Sequence, residues 1–224
     1  MASIVFALYP QVTQLDFTGP HQVLSRLPGA QITCASPDGE AITTDGLSFS
    51  GLTPIADIES CDVLCVPGGY GATAMIQDAA FLGEIRRLAA GATYVTSVCT
   101  GSLILAAAGL LSGKRAACHW AWRDQLALFG AIPDPARVVR DGNVLTGGGV
   151  TAGIDFGLTL AAEIAGPEVA QGIQLAIEYA PSPPFSSGRP ETAPPAVLDR
   201  INAIFAQTMP ARLAAAQKAA AALA

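Results

Sequence analysis

A cysteine stands where a run typical of a buried strand passes into a run typical of a helix, in YVTSVCTGSLILAAAGLL (94–111). The segment SVCTG has the order of a nucleophile elbow, a sharp strand-to-helix turn that exposes its middle residue. Gly101 permits the close approach that such a turn requires. N–H groups at the start of the following helix are expected to lower the thiol pKa of Cys99 and to hold negative charge on a substrate. Cys99 is therefore predicted to be a nucleophile rather than a buried structural cysteine.

Two other residues are candidates for acid or base chemistry. Asp16 lies in QLDFTGP, between apolar neighbours, after the first predicted strand. A half-buried carboxyl has a raised pKa and transfers protons near neutrality, although a helix-end cap is the alternative interpretation. His119 lies in AACHWAW, just after a short predicted strand. It is a possible accessory residue, or else a hydrogen-bonded structural histidine.

A glycine-rich turn follows the predicted strand DVLCV, in CVPGGYG (65–71). The segment has neither the lysine of a phosphate-binding loop nor a dinucleotide-binding glycine pattern. Backbone N–H groups at Gly69 and its neighbours are candidates for an oxyanion hole, and a simple tight turn is the alternative.

The other cysteines are interpreted as small buried hydrophobic residues. The sequence has five cysteines, an odd number that argues against a disulfide framework. No histidine cluster accompanies the closely spaced pair Cys61 and Cys65, so a zinc site is not expected. The residues assigned to this group are Cys34, Cys61, Cys65 and Cys118.

Predicted strands and helices alternate along the chain. The strands are SIVFAL, QITCAS, DVLCVP, TYVTSV, KRAAC and NVLTGG, and the helices are TGPHQVLSRL, ATAMIQDAAFLGEIRRLAA, TGSLILAAAGLL and GIDFGLTLAAEIAG. This alternation predicts an α/β fold, a mostly parallel sheet with helices on both faces, and a ligand site at the carboxyl ends of the strands. Asp141-Gly142 predicts a hairpin. The small residues of the helix after Gly153 are expected to offer a dimer surface.

The last part of the chain has a different composition. EYAPSPPFSSGRPETAPPA (178–196) is too rich in proline and serine for regular structure. From Ala196 onward the composition is helical, with a break predicted at Pro210. We predict one domain, residues 1–190, and a helical tail, residues 191–224, packed on that domain or on a dimer partner.

Composition and charge exclude several classes of function. The net charge is −6 and no run of lysine and arginine is present, which argues against nucleic-acid binding. Apolar stretches are interrupted well before the roughly 18–20 residues that a membrane span needs, so no membrane partner is expected. The N-terminal segment does not have the pattern of a signal peptide, and the cytoplasm is therefore the expected compartment.

Four segments together resemble the PfpI-like superfamily, whose members have a class I glutamine-amidotransferase-like fold: YPQVTQLDFTGPHQVL, VLCVPGGYG, YVTSVCTGSLILAAAGLLSGKRAACHW and GNVLTGGGVTAGIDFGLTLAAE. The resemblance extends over nearly the whole chain, to EYAPSPPF. The SVCTG elbow, the aspartate of QLDFTGP and the segment GGGVTAGIDF narrow it to the isocyanide hydratase group.

The resemblance implies a flavodoxin-like three-layer sandwich, a homodimer, and chemistry without a metal or an organic cofactor. Cys99 matches the nucleophile and Asp16 the acid/base group that faces it. Thr100 matches an active-site residue that positions the intermediate, and Gly149 and Val150 lie in a segment expected to pack behind the cysteine. The implied reaction is hydration of an isocyanide to an N-substituted formamide through a covalent thioimidate.

Other branches of the superfamily differ at these positions. Proteolytic and chaperone-like members have histidine where this chain has Thr100, and glyoxalase and deglycase members usually have glutamate where it has Asp16. Amidotransferases need a downstream His-x-Glu pair, and regulators with this fold continue into a DNA-binding domain of roughly 100 residues or more. Two alternatives stay open: glyoxalase- or deglycase-like activity on α-oxoaldehydes with His119 as base, and a non-catalytic redox sensor in which Cys99 is oxidised to a sulfinate.

Overall fold

Runs of β-branched and apolar residues form the strands of the protein, which a computed structural model describes over residues 2–223. The strands are β1 (Ser3–Ala7), β2 (Gln31–Ser36), β3 (Ile42–Thr44), β4 (Leu47–Phe49), β5 (Thr53–Pro54), β6 (Val63–Val66), β7 (Tyr94–Val98), β8 (Arg115–Ala116), β9 (Ile132–Pro133), β10 (Val138–Asp141) and β11 (Val144–Gly147). The helices are α1 (Gln14–Leu24), α2 (Ala72–Met75), α3 (Ala79–Gly91), α4 (Gly101–Ala107), α5 (Ala152–Ala165), α6 (Pro167–Ala176), α7 (Pro195–Ala206) and α8 (Met209–Ala221). Short 3₁₀ segments span Ile55–Asp57 and Arg123–Phe129.

Within the described residues, seven strands form one sheet in the order β10-β11-β7-β6-β1-β2-β5. Every neighbouring pair is parallel except β10 with β11, which form the hairpin predicted at Asp141-Gly142. All residues of β6 are buried, as expected for a strand covered on both faces. The predicted α/β fold, with a mostly parallel sheet between layers of helices, is confirmed.

The register of the sheet brings three loops to one edge. Val66 at the end of β6 pairs with Ser97 of β7, and Gly147 at the end of β11 pairs with Val98. The residues that follow these strands, the Pro67–Gly69 turn, Cys99 and the 148–150 segment, are therefore neighbours at the carboxyl edge of the sheet. This edge is the usual place for a ligand in a parallel sheet.

Several sequence predictions differ from the structure in their boundaries. The predicted helix over 72–90 is divided because the Asp78 carboxylate accepts hydrogen bonds from the N–H groups of Ala80 and Phe81 and so caps a new helix, α3. KRAAC contributes only the two-residue β8, which pairs with β9 outside the main sheet. The hairpin of β3 and β4 and helix α6 were not predicted.

The glycines of α5 pack within the chain, and the dimer surface predicted on this helix stays a prediction. A Cβ on Gly153 would lie 3.0 Å from Pro20 Cδ, and one on Gly157 would lie 3.2 Å from Pro20 Cα. The glycines of α5 thus allow α1 and α5 to lie close together. The proline of α1 fills the space that the missing side chains leave.

The C-terminal part of the chain consists of an irregular segment followed by the helices α7 and α8. The segment predicted to be irregular connects α6 to α7, and α8 begins with Pro210 in its first turn, close to the predicted break. Helix α8 buries Arg212, Ala215, Ala216 and Ala219 against α2, α4 and the 3₁₀ segment Arg123–Phe129. The division into a domain of residues 1–190 and a tail of residues 191–224 stays a prediction. In residues 2–223 no helix is both long and apolar enough to cross a bilayer.

Candidate active site

The strand-to-helix turn at Cys99 has the geometry of an elbow. Strand β7 ends at Val98 and helix α4 begins at Gly101, and Cys99 itself has a φ of 58°. A residue with a side chain is strained in this left-handed conformation, so the surrounding structure must hold it there. The Cys99 N–H donates to the Gly147 carbonyl at 3.0 Å, which fixes the turn to the end of β11.

The close approach predicted for Gly101 is confirmed, and it leads to a test of the elbow. A Cβ on Gly101 would lie 2.0 Å from the Val66 carbonyl oxygen and 2.8 Å from that of Pro67, both backbone atoms. Gly101→Ala is expected to destabilise the protein by more than about 3 kcal/mol, measured by chemical denaturation. Gly83→Ala is the control, since nothing lies within 4 Å of its Cβ in the interior of α3. This control should be stabilised by ~0.5–1 kcal/mol, and equal stability of the two variants would contradict the tight elbow.

Asp16 is a buried residue of the first helix, not a helix cap. Helix α1 begins at Gln14, four residues before the predicted start, and the Asp16 side chain is completely buried. The N–H of Gly68 donates to Asp16 Oδ2 at 2.9 Å. By bond geometry the other oxygen, Oδ1, has no partner among the described residues, but the Cys99 thiol is near enough to affect the Asp16 pKa. The helix-cap alternative is therefore wrong, and the carboxyl faces the elbow.

Asp16 and Cys99 form a buried pair of acids. Burial raises the pKa of Asp16 to about 7, and the Gly68 N–H and the Cys99 thiol lower it only in part. Burial also raises the pKa of Cys99 well above its usual value, and the neighbouring Asp16 and Cys118 raise it further. The predicted lowering of the Cys99 pKa is wrong, because one adjacent N–H, that of Thr100, does not offset this burial. Burial therefore disfavours the charged form of both groups, and the two titrate as a coupled pair.

Gly68 lies between Asp16 and Thr100. A Cβ on Gly68 would lie 2.4 Å from Thr100 N and 2.8 Å from Asp16 Oδ2. The N–H of Gly69 donates to the Thr100 hydroxyl oxygen at 2.9 Å, and that hydroxyl contacts the Gly69 carbonyl at 3.2 Å. The Gly69 N–H predicted for the oxyanion hole is thus engaged with Thr100. Glycines are needed in this turn because side chains would occupy the space between Asp16 and the elbow.

Cys99 opens into a cavity of about 140 Å³. Of the five cysteines, all within the described residues, only Cys99 contributes to its wall. Burial raises the pKa of Cys61 to about 11 and of Cys65 and Cys118 to about 12, so a raised pKa is shared with Cys99 and only access to the cavity distinguishes it. The residues that line the cavity are Thr13, Gly69, Tyr70, Cys99, Thr100, His119, Trp122, Val150, Phe205 and Arg212.

His119 lies in the cavity wall and is neutral at pH 7. Its ring packs on Trp122 with centroids 4.7 Å apart and on Phe205 at 5.9 Å. Burial, and secondarily the charge of Arg212, lowers its pKa to about 4. Nδ1 accepts the N–H of Ala121 at 3.3 Å, so the neutral ring carries its proton on Nε2 and is not arranged as a base.

The segment after β11 is divided between the cavity and its surroundings. Val150 lines the cavity with Cys99, whereas Gly149 lies beside it, where a Cβ would be 3.6 Å from the His119 ring. In the part of the chain that the structure describes, no group of three or more His, Cys, Asp and Glu side chains is placed to hold a metal ion.

Sequence reasoning missed five residues of the wall: Thr13, Tyr70, Trp122, Phe205 and Arg212. Tyr70 and Trp122 are the last residues of the motifs PGGY and HWAW, so their closeness to Gly69 and His119 was a usable signal. Phe205 and Arg212 come from the two tail helices. The sequence offered only a weak signal for Arg212, an arginine in an alanine-rich helix, and none for Phe205.

Fold and site together define an α/β protein with a cysteine elbow and a buried carboxyl facing it. Residues 2–163 match the DJ-1/PfpI family, and the chain belongs to that family. It is 52% identical to a protein of Pseudomonas putida named isonitrile hydratase, over 98% of this chain and 97% of that one.

Solved structures agree with this assignment. A THiJ/PfpI family protein from Pseudomonas syringae superposes with a TM-score of 0.92 at 42% identity, covering 98% of this chain and 90% of that chain. DJ-1beta of Drosophila melanogaster superposes with a TM-score of 0.72 at 27% identity, covering 80% and 99%. The first of these matches therefore extends over nearly the whole chain.

Proposed function

We propose that this protein hydrates isocyanides to N-substituted formamides, with Cys99 as covalent nucleophile and Asp16 as acid and base. The observation that carries the proposal is the buried Asp16 carboxyl, whose pKa is about 7, beside the cysteine that opens into the cavity. Hydration of an isocyanide needs one nucleophile and one group that moves protons near neutrality. The similarity to the isonitrile hydratase of Pseudomonas putida over nearly the full length supports the same reaction.

The first half of the reaction adds the thiol to the terminal carbon of R–N≡C. The Asp16 carboxylate takes the thiol proton as the sulfur of Cys99 bonds to that carbon. Asp16 then delivers the proton to the same carbon, which gives the thioimidate R–N=CH–S–Cys99. No net proton is gained or lost, and Asp16 returns to its carboxylate form. A carboxyl with a pKa of about 7 suits this role, because near neutrality both its acid form and its base form are populated.

The second half hydrolyses the thioimidate. Asp16 takes a proton from water as the water oxygen bonds to the carbon, and the proton passes to the substrate nitrogen. The resulting intermediate, R–NH–CH(OH)–S–Cys99, loses its hydroxyl proton through Asp16 to the departing sulfur. The C–S bond breaks, the formamide leaves and the thiol is restored. Thr100, held by Gly69, keeps the elbow in place through these steps.

The decisive assay is incubation of the purified protein with phenyl isocyanide in H₂¹⁸O. The expected product is N-phenylformamide with ¹⁸O in its carbonyl group, detected by mass spectrometry. Product formation must stop once iodoacetamide has alkylated Cys99, as located by peptide mapping. Glyoxalase activity without formamide formation would favour the glyoxalase-like alternative instead.

Trapping the intermediate tests the role of Cys99 separately. Acid quenching during turnover is expected to leave protein heavier by the mass of the isocyanide, and peptide mapping should place the adduct on Cys99. The partly exposed Cys34 is an internal control, since it is the thiol most open to nonspecific modification. An adduct found mainly on Cys34 or Cys118 would rule out the proposed intermediate.

The two alternative functions have less support. A glyoxalase-like reaction with His119 as base conflicts with the position of its proton on Nε2 and with its pKa of about 4. A redox sensor needs a thiol that is readily ionised and oxidised, whereas burial and Asp16 raise the pKa of Cys99. The DJ-1 relative from Drosophila is also less similar to this chain than the isonitrile hydratase, at 29% against 52% identity.

We also propose that the protein is a homodimer, on the basis of its exposed apolar residues. Leu175 at the end of α6 is 82% exposed and Phe185 in the following segment is 79% exposed. Large apolar side chains exposed to this degree are typical of surfaces that a partner covers. Sedimentation at micromolar concentration should give a species of twice the 22.8 kDa monomer mass, and Leu175→Ser with Phe185→Ser should shift it toward monomer. A single species at the monomer mass would disprove the dimer.

The cytoplasm is the compartment that we propose. All five cysteines are free, and Cys34 is partly exposed. Unpaired thiols of this kind persist in a reducing compartment.

A further inference from the structure

The cavity wall contains a buried arginine that has no carboxylate partner among residues 2–223. Arg212 of α8 lines the cavity together with Cys99, and only 8% of its surface is exposed. None of the ion pairs found within residues 2–223 includes it. A buried guanidinium is usually paired with a carboxylate, because an unpaired charge loses its hydration without compensation. The charge of the Arg212 guanidinium must therefore be stabilised by something other than a carboxylate of the protein.

Aromatic rings hold the arginine and leave its donors unused. The guanidinium carbon lies 4.8 Å from the centroid of the Tyr70 ring and 4.7 Å from that of Trp122. Stacking of this kind engages the faces of the planar group, whereas its N–H bonds point outward from the edge. These edge donors are the part of arginine that binds carboxylates in pairs.

A second donor in the same wall also has no partner. Trp122 is 6% exposed, and its indole Nε1 is buried without a hydrogen-bond partner among residues 2–223. No carboxylate side chain lines the cavity among the described residues, so its one charged wall residue is cationic.

We propose that the preferred substrates of this site are small isocyanides that carry a carboxylate, which Arg212 binds while Cys99 attacks the isocyanide carbon. This inference rests on the proposed hydration reaction and adds the class of its substrate. The apolar rings of Phe205, Trp122 and His119 contact the carbon skeleton between the two ends. The volume of about 140 Å³ limits that skeleton to a short chain or a single ring.

The test compares each carboxylate with its uncharged methyl ester in three pairs of increasing length: isocyanoacetate, 3-isocyanopropanoate and 4-isocyanobenzoate. For at least one pair, the wild-type kcat/KM is expected to be about 10- to 100-fold higher for the carboxylate, the range of a charged hydrogen bond. Arg212→Met should bring the ratio of kcat/KM for carboxylate to kcat/KM for ester down to about one, because the variant has no donor for the carboxylate. Arg212→Lys should retain part of it, because the charge stays and the paired donors are lost.

Lys218→Met is the matched control, since it removes one exposed positive charge from the same helix. This variant should keep the wild-type preference. Thermal melting of all variants separates loss of binding from loss of folding, and the wild-type comparison needs no variant at all.

The outcomes distinguish this inference from the function on which it rests. If the wild type hydrates neither member of any pair, the proposed function fails. If it hydrates esters and carboxylates with equal kcat/KM in all pairs, the function stands and the anionic substrate is wrong. If Arg212→Met reduces kcat/KM equally for both members, Arg212 acts on the Cys99 thiolate and not on the substrate.

Discussion

Replacing Cys99 by serine is expected to reduce isocyanide turnover by at least about 1,000-fold, because the covalent route then lacks its nucleophile. A serine hydroxyl has a much higher pKa than a thiol, and an Asp16 carboxyl with a pKa of about 7 is too weak a base to ionise it. Serine differs from cysteine by a single atom, so the elbow should keep its geometry. Formamide production, measured over hours at high enzyme concentration, gives the size of the effect.

The control for this variant is Cys34→Ser. Cys34 lies on β2 and is not part of the cavity wall, so this substitution should leave kcat/KM within about two-fold of wild type. Cys99→Ser should also no longer form the acid-stable adduct. Retention of more than a tenth of the wild-type turnover by Cys99→Ser would remove the thioimidate from the mechanism.

Asp16→Asn is expected to reduce turnover by about 100-fold or more, because asparagine can neither take the thiol proton nor return it. The amide can still accept the Gly68 N–H, so the position of the side chain should be conserved. In the wild type, kcat/KM should rise with pH through about 7 and then reach a plateau, since the carboxylate form accepts the thiol proton. The rise should be absent from the residual activity of the variant.

Asp16→Glu tests whether the position of the carboxyl matters when its acidity is kept. Glutamate retains the carboxyl but extends it by one methylene, in a site where Gly68 is already crowded by Asp16 and Thr100. Turnover should therefore fall although the titrating group is still present. Wild-type turnover by Asp16→Asn would contradict the mechanism outright, and His119 would be the next residue to test.

Asp16→Asn is expected to reduce turnover but to increase the stability of the fold at alkaline pH. Because burial raises the pKa of Asp16 from 3.8 to about 7, its contribution to stability is complete below the unfolded pKa and is lost as pH rises through the folded pKa. Asp16→Asn does not titrate and avoids this loss. It should be more stable than wild type at pH 8 by up to a few kcal/mol, since each unit of pKa shift is worth about 1.4 kcal/mol. Urea unfolding at pH 4 and pH 8 measures the difference, which should be small at the lower pH.

The sequence predicted best those features that depend on neighbours in the chain. The elbow was evident because a strand pattern, a cysteine and Gly101 follow one another directly. Asp16 was chosen from its apolar flanks, which indicated burial. What the flanks did not show was its partner Gly68, some 50 residues away, since only the register of β1 with β6 brings these positions together.

Features that depend on packing were predicted poorly. The helix dipole suggested a lowered pKa for Cys99, but the pKa of a thiol also depends on how much water and which charges surround it. The small residues of α5 suggested an interface between chains, whereas the glycines among them pack against Pro20 of the same chain. Small residues show that something approaches closely, but they do not identify what approaches.

The distant origin of Phe205 and Arg212 has a consequence for how this protein changes over evolution. The segment shared with the DJ-1/PfpI family, residues 2–163, includes Asp16 and Cys99, and it ends before either tail helix begins. The reacting groups and part of the wall around them thus belong to separate portions of the gene. Substitutions in the C-terminal segment can therefore change which molecules enter the cavity while Asp16 and Cys99 are inherited unchanged.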